Sequence, residues 1–330
     1  MVRERPVETE NEVDAHGAFI RQKNRFTTPF GDKEGELPVE AGRYRLIWAK
    51  GCNWSNRSSI AIELLGLEDV VSVNLVDGGD HFAKYGWAFD YDEGGKDPVL
   101  GVKYLSELYY NTDPNYQGRC TVPALVDIKT KKVVNNDYHH LSNYFEKDFK
   151  AFHKNKIDLY PEALRAEIDT FNEWLFHNIN NGVYRCFFAQ SVEAYEEAYN
   201  DFFNGLDVLE ERLSQKRFLF GDYVTDSDIR FYVTLARFDA HYYRNLGPIK
   251  HRIVDYPNIW AYARDLYEIP AFKHNTYFHY YAEEDKVPNT IFQSFNARFW
   301  DTYDFEGLWS TPQNRKALSK TPGKKFKEED

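Results

Sequence analysis

The pattern of apolar and polar positions divides the chain into a region that mixes strands with helices and a region that is helical throughout. In residues 41–149, short apolar runs alternate with amphipathic stretches, whereas in residues 150–281 only helical spacing recurs. Residues 1–40 are polar with scattered glycines and prolines, which predicts an irregular arm lying over the folded body. Residues 282–330 show no clear period, and we expect a C-terminal extension there that ends in a frayed charged tail.

The mixed region begins with a predicted strand, helix and strand. Residues 44–49 are apolar except for Arg45, residues 60–65 carry apolar side chains at helical spacing, and Gly66 is a plausible helix stop. Residues 71–75 alternate apolar and polar side chains. This order predicts a right-handed parallel unit.

The rest of the mixed region predicts a loop, a helix, a hairpin and a last helix, at residues 77–99, 100–109, 122–134 and 136–145. Pro123 at the start of a strand favours an edge position or a cis peptide bond. Asn136 or Asp137 is placed to cap the last helix. The resulting element order is that of a thioredoxin-like α/β domain.

The second region predicts an all-α domain, with long helices at residues 161–179, 192–213, 226–239 and 258–266. Pro161 suits the first position of its helix. Residues 225–228 resemble a capping box, with Asp in the place of the usual Glu.

Composition and charge narrow the classes of function. With 330 residues, 42% of them hydrophobic, the chain is long enough for two domains that each bury a core. Its 25 Phe, 24 Tyr and 7 Trp fill cores for the most part, and the tyrosines also suit an aromatic pocket with proton donors. A formal net charge of −11 argues against a nucleic-acid partner. No apolar run reaches the about 18 residues of a membrane span, and we expect neither a membrane segment nor a signal peptide.

One of the three cysteines stands in a reactive context. Cys52 lies in the turn that joins the first predicted strand to the first predicted helix. Unpaired N–H groups and the helix dipole favour a thiolate at such a position, and the thiolate is the nucleophile. Position 55 is Ser, so a mixed disulfide at Cys52 needs an external thiol for its release. An inert buried cysteine is the alternative.

We expect no catalytic or metal-binding role for the other candidate groups. Cys120 and Cys186 are predicted to be small buried hydrophobes, and a sparse, odd number of cysteines fits a reducing cytoplasm better than a secreted disulfide framework. His139 and His140 are adjacent on a predicted helix and point apart, so we expect no metal site.

A series of short stretches carries a family resemblance together with the cysteine turn: residues 86–89, 104–109, 113–116, 118–123, 134–137, 180–184, 195–198, 220–222, 228–230, 237–239 and 253–258. With them the chain resembles the glutathionyl-hydroquinone reductases, the Xi class of glutathione transferases, from about residue 41 to residue 281. The resemblance implies a thioredoxin-like domain followed by a glutathione-transferase-type helical bundle, and a homodimer. It also implies glutathione or a related low-mass thiol as co-substrate, an aromatic acceptor and no metal.

The same resemblance implies a role for each of nine residues. Cys52 would attack the sulfur of a glutathionyl-hydroquinone, and Tyr184 would supply the proton that the departing ring carbon needs. Tyr242 and Tyr280 would donate hydrogen bonds to the thiolate. The residues that would hold the glutathione are Trp87, Arg119, Val122 through its backbone, and, at the γ-glutamyl end, Asp137 and Tyr138.

The chain departs from the family pattern at three places. The family has Cys-Pro-Trp-Ala where residues 52–55 are Cys-Asn-Trp-Ser, and Glu-Ser where Asp137 and Tyr138 stand. The usual sequence after Tyr281 is missing. These changes bear on the thiol and the substrate more than on the fold. A conventional glutathione-conjugating transferase and a non-catalytic binding module on the same fold are the alternative functions.

Overall fold

The chain divides into two units of different architecture. The computed structural model describes residue 4 and residues 12–79, 81–283 and 303–329. The thioredoxin-like unit contains the chain up to Glu12 and residues 21–156, and the helical unit contains residues 13–20 and 157 onward. The finer limits expected from the sequence, 41–149 and 150–281, stay a prediction.

A four-stranded mixed sheet with the strand order β2-β1-β3-β4 is the centre of the thioredoxin-like unit. The strands are β1 (Tyr44–Trp48), β2 (Val71–Leu75), β3 (Ala124–Asp127) and β4 (Lys132–Asn135). Strand β1 runs parallel to β2 and antiparallel to β3, and its five residues are all buried because it has a strand on either side. The sheet confirms the predicted α/β class of this unit.

The helices of this unit are α1 (Asn53–Leu65), α2 (Phe82–Tyr85), α3 (Leu105–Thr112) and α4 (Leu141–Lys147). Helix α1 connects β1 to the parallel strand β2, as predicted. It ends at Gly66, which has the left-handed φ of 66° that glycine adopts without strain. A Cβ at Gly66 would lie 2.9 Å from Cβ of Lys154, so close packing adds a second reason for glycine here.

Helix α3 begins later than the sequence predicts, at Leu105 in place of residue 100. The carboxylate of Asp97 accepts the backbone N–H groups of Val99 and Leu100, which holds these residues in a turn. The side chain of Glu107 accepts the N–H of Tyr104 and so caps α3 at its observed start. The predicted loop at residues 77–99 was also wrong in part, since it contains α2.

One prediction about the hairpin is confirmed, and one about the helix that follows it needs correction. The Val122–Pro123 peptide bond is cis, one of the two alternatives, but β3 is an inner strand and not an edge. Helix α4 begins only at Leu141. Asp137 accepts the N–H groups of His139 and His140 and thereby caps the turn before α4.

The helical unit contains α5 (Arg165–Leu175), α6 (Gly182–Phe188), α7 (Val192–Gln215), α8 (Asp226–Arg237), α9 (Tyr243–Asn245), α10 (Pro257–Tyr267), α11 (Pro270–His274), α12 (Phe278–Glu283) and α13 (Phe305–Trp309). Helix α8 is buried along its whole length. The predicted capping box is confirmed, because Asp228 accepts from both the backbone N–H and the hydroxyl of Thr225. Pro161 does not open α5 but precedes a 3-10 turn at Glu162–Leu164. No helix in the described ranges is long and apolar enough to cross a membrane.

The charged C-terminal tail is anchored within the helical unit, contrary to the expected frayed end, as far as it is described. Lys325 places its ammonium 2.8 Å from the buried carboxylate of Asp265, which also binds the buried Arg217 at 2.8 Å. Burial opposes ionisation of Asp265, but Arg217 and Lys325 outweigh it and keep the pKa of this carboxyl below its ordinary value. Residues 284–302, in the first half of the predicted extension, lie outside the described residues.

Candidate active site

The short connection between β1 and α1 positions Cys52. Strand β1 ends at Trp48, and Cys52 is the extended residue directly before α1, with φ −86° and ψ 110°. Cys52 is thus the N-cap residue of α1, at the end of the helix where backbone N–H groups are left without intrahelical partners. It is half-buried, and its Sγ donates to the carbonyl oxygen of Val122 at 3.5 Å. This confirms the strand-to-helix turn that made Cys52 the candidate nucleophile.

Ser55 stabilises this turn from inside. Its buried hydroxyl accepts the N–H of Ala49 at 3.2 Å and lies 3.3 Å from the carbonyl oxygen of Cys52. Ser55, the fourth residue of the Cys-x-x-Ser motif, therefore ties the end of β1 to the first turn of α1. Its role in the folded chain is structural.

Five of the residues predicted for the thiol site line one cavity of about 290 Å³: Cys52, Trp87, Arg119, Val122 and Tyr138. This volume is close to the lower end of the ~300–1,000 Å³ usual for small-molecule sites. The ring of Trp87 packs edge-on against Phe82, which also lines the cavity, with centroids 4.8 Å apart. The cavity thus combines a thiol, aromatic surface and a guanidinium.

Asp137 does not line the cavity, although its neighbours Asn136 and Tyr138 do. Its buried carboxylate lies 2.8 Å from Nδ1 of His140 and accepts a hydrogen bond from Asn24 at 2.9 Å. Burial raises the pKa of Asp137, but the hydrogen bond and charge of His140 and the backbone N–H groups outweigh it, so the pKa lies below the ordinary value. Asp137 is therefore a carboxylate at neutral pH.

Tyr138 does line the cavity, and its ring packs between two other rings. The centroid of the Trp54 ring lies 5.2 Å away and that of His139 4.5 Å away. The guanidinium of Arg57 lies over Trp54 at 4.8 Å. The bulky side chain at this position is thus part of an aromatic wall.

Part of the cavity wall comes from the N-terminal arm, which the sequence did not point to. Residues 21–24 line the cavity, and the guanidinium of Arg21 lies 4.6 Å from the centre of the Trp54 ring. Glu12 forms an ion pair with Arg119. The only sequence signal was a run of four side chains rich in hydrogen-bonding groups, Arg-Gln-Lys-Asn, within an otherwise irregular segment.

The two remaining cysteines differ from each other. Cys186 is buried, as predicted, and burial raises the pKa of its thiol to about 12. Cys120 is only half-buried and lines the cavity, so its predicted role as a fully buried hydrophobe was wrong. It precedes Val122 by two residues, in the segment that passes the cavity on its way into β3.

The three predicted tyrosines belong to the helical unit. The hydroxyl oxygens of Tyr184 and Tyr242 lie 2.9 Å apart and share a hydrogen bond, and their rings meet edge to face. Tyr242 is buried and Tyr184 is half-buried. Tyr280 lies on α12 and is half-buried.

Comparison with known proteins finds relatives that are glutathione transferases or glutathionyl-hydroquinone reductases. The sequence model of the glutathione S-transferase C-terminal domain matches residues 192–265. Glutathionyl-hydroquinone reductase YqjG of Escherichia coli (strain K12) is 37% identical over 79% of this chain and 77% of its own length. Glutathionyl-hydroquinone reductase PcpF of Sphingobium chlorophenolicum is 37% identical over 74% of this chain and 76% of its own length.

Solved structures show the same fold. The glutathione S-transferase Xi of Phanerochaete chrysosporium superposes with a TM-score of 0.78 at 32% identity, covering 90% of this chain and 96% of that one. The glutathione-bound YqjG of Escherichia coli superposes with a TM-score of 0.73 at 33% identity, covering 86% of this chain and 92% of that one. Both fit a thioredoxin-like unit followed by a helical unit.

The side chain of Asn53, directly after Cys52, does not suit its buried position. It is fully buried, and within the described residues neither polar atom of its side chain has a hydrogen-bond partner. A buried amide left in this state costs roughly 1–3 kcal/mol. Asn53 is also the first residue of α1, where Pro is favoured, and the extended conformation of Cys52 suits a residue that precedes Pro.

We therefore expect Asn53→Pro to raise the free energy of unfolding by about 1–2 kcal/mol, because it removes the buried amide and fixes φ in advance. Asn53→Ala is the matched control and should gain less, since it removes only the amide. Urea denaturation followed by circular dichroism measures both. A lower stability of the Pro variant than of the Ala variant would contradict this explanation.

Proposed function

The chain belongs to the glutathionyl-hydroquinone reductases, the Xi class of glutathione transferases, and we propose that it removes a glutathionyl group from an aromatic hydroquinone through a mixed disulfide at Cys52. The observation that carries the proposal is the thiol of Cys52 at the N-terminus of α1, in a cavity that also contains Trp87 and Arg119. The alternatives are a conventional conjugating transferase and a binding module. Neither of them needs a covalent bond to Cys52.

The reaction has two steps that balance in atoms and electrons. In the first step, the Cys52 thiolate attacks the glutathionyl sulfur, and the bond between that sulfur and the ring carbon breaks. The electron pair of the broken bond goes to the ring carbon, which takes up a proton, and the ring leaves as the reduced hydroquinone. In the second step, a glutathione thiolate attacks the mixed disulfide, which gives glutathione disulfide and restores the Cys52 thiolate.

The residues of the cavity suit the thiol part of this substrate. The guanidinium of Arg119 matches a carboxylate in two parallel hydrogen bonds. The backbone carbonyl of Val122 lies 3.5 Å from the Cys52 thiol. A bound peptide thiol such as glutathione would form its backbone hydrogen bonds with Val122. The carboxylate of Asp137 would attract the γ-glutamyl ammonium, with Tyr138 beside it. We propose that the thiol is glutathione or a close relative of it.

The tyrosine pair of the helical unit suits proton donation. Either hydroxyl can donate in the hydrogen bond that Tyr184 and Tyr242 share. Once Tyr184 has given up its proton and the Cys52 thiolate has become part of the disulfide, Tyr242 would donate to Tyr184 and stabilise the phenolate. We propose Tyr184 as the acid for the ring carbon, with Tyr242 and Tyr280 as donors toward the thiolate. We further propose a homodimer in the cytoplasm, as the family resemblance and the sparse cysteines suggest.

Replacing the nucleophile should abolish the reaction. We expect Cys52→Ala to lose measurable deglutathionylation of a glutathionyl-hydroquinone, with an unchanged circular dichroism spectrum, because no mixed disulfide can form. Cys186→Ala is the matched control and should keep its rate, since that thiol is buried. Release of hydroquinone is measured by chromatography, and a rate of Cys52→Ala within about threefold of wild type would rule the mechanism out.

Replacing the acid should slow only the first step. For Tyr184→Phe we expect hydroquinone release to slow by about 10²-fold or more, because general acid catalysis typically contributes that much. The second step, a thiol–disulfide exchange, needs no proton on carbon and should be unchanged. Tyr195→Phe, which loses a hydroxyl bonded to Gly247, is the control. Rapid-mixing kinetics time both steps, and equal slowing would exclude Tyr184 from this role.

The ring of Tyr138 should limit how tightly glutathione binds. It occupies the cavity wall where the family has a small hydroxyl residue, so we expect Tyr138→Ser to bind glutathione more tightly, by roughly 1–3 kcal/mol. Tyr138→Phe keeps the ring and should bind like wild type. Calorimetry with glutathione and γ-glutamylcysteine measures these affinities. Tight binding by wild type with no gain in the Ser variant would show that the departure is harmless.

A further inference from the structure

The guanidinium that would bind the carboxylate of the thiol already binds a carboxylate of the same chain. Oε1 of Glu12 lies 2.5 Å from a terminal nitrogen of Arg119. The two side chains are only 17% and 28% exposed, so solvent screens this pair less than an ordinary surface ion pair. Glu12 thus neutralises the cation that faces the cavity.

A small hydrogen-bond network holds Glu12 at this place. The same Oε1 atom accepts the backbone N–H of Gln22 at 2.9 Å. The side-chain oxygen of Gln22 in turn accepts the backbone N–H of Arg119 at 2.9 Å. The three residues form a closed cycle, which distinguishes Glu12 from a long side chain that pairs by chance on the surface.

The arm also contacts the other end of the proposed thiol site. Nδ2 of Asn24 donates to the carboxylate of Asp137 at 2.9 Å. With Asp137 and Tyr138 assigned to the γ-glutamyl end, Arg119 remains for the glycyl carboxylate of glutathione. A second carboxylate beside Glu12 would meet a like charge at close range, which disfavours binding.

We propose that Glu12 is a specificity-determining residue, an internal carboxylate that a thiol must displace from Arg119 before its own glycyl carboxylate can bind there. This inference rests on the proposed function. Thiols that carry no carboxylate at this end avoid the competition. Glu12 therefore reduces the difference in affinity between glutathione and thiols that lack the glycyl carboxylate.

The test compares two probes, glutathione and its glycyl monoethyl ester, by calorimetry on the wild-type chain and on Glu12→Gln. We expect the variant to bind glutathione at least fivefold more tightly, because the carboxylate of Glu12 no longer neutralises the guanidinium of Arg119. We expect it to bind the ester within twofold of wild type. The unchanged ester affinity also shows that the variant has folded. Glu40→Gln, which removes a carboxylate paired with Lys129 away from the cavity, should change neither affinity.

Two outcomes would overturn the inference. Glutathione binding that is unchanged or weaker in Glu12→Gln, or an equal gain for both probes, shows that Glu12 does not compete at Arg119. Turnover of a glutathionyl-hydroquinone by the wild-type chain distinguishes a failure of this inference from a failure of the proposed function. Wild-type turnover with unchanged affinities in the variant removes this inference alone, whereas absence of both turnover and glutathione binding removes the proposed function together with it.

Discussion

The register between β1 and β3 is the constraint on which the thiol site depends. Ile47 of β1 faces Ala124 of β3, so the end of β1 and the start of β3 lie side by side. Because α1 must begin a few residues after β1, Cys52 falls at the helix N-terminus beside the carbonyl of Val122, two residues before Ala124. This strand pairing thereby brings Cys52, the backbone of Val122 and Arg119 to one cavity, where we propose that the thiol binds.

The elements with a strong hydrophobic periodicity could be predicted from the sequence, and so could the strand-to-helix turn that contains the proposed nucleophile. The buried run at β1, the helical spacing of α1 and the left-handed stop at Gly66 each follow from local chemistry. The capping box before α8 follows from residues three positions apart. Cys52 was identifiable because its strand-to-helix context is itself a local pattern.

What could not be predicted depends mostly on contacts between distant parts of the chain. Glu12 and Arg119 are 107 positions apart, and nothing in a polar, aperiodic arm indicates which cation it will meet. The late start of α3 depends on the carboxylate of Asp97, and the anchored tail depends on the pairing of Lys325 with Asp265. The pairings of Glu12 and Lys325 are tertiary interactions, whereas Asp97 acts on Leu100 only three positions along the chain and competes locally with the helical spacing.

The central claim is that Cys52 carries the glutathionyl group between the two steps. It is tested most directly by mixing the chain with one equivalent of a glutathionyl-hydroquinone in the absence of any added thiol. Intact mass spectrometry and peptide mapping should then find one glutathionyl group on Cys52 for each hydroquinone released. Release of hydroquinone without an adduct, or an adduct on Cys120 with Cys52 unmodified, would contradict the account.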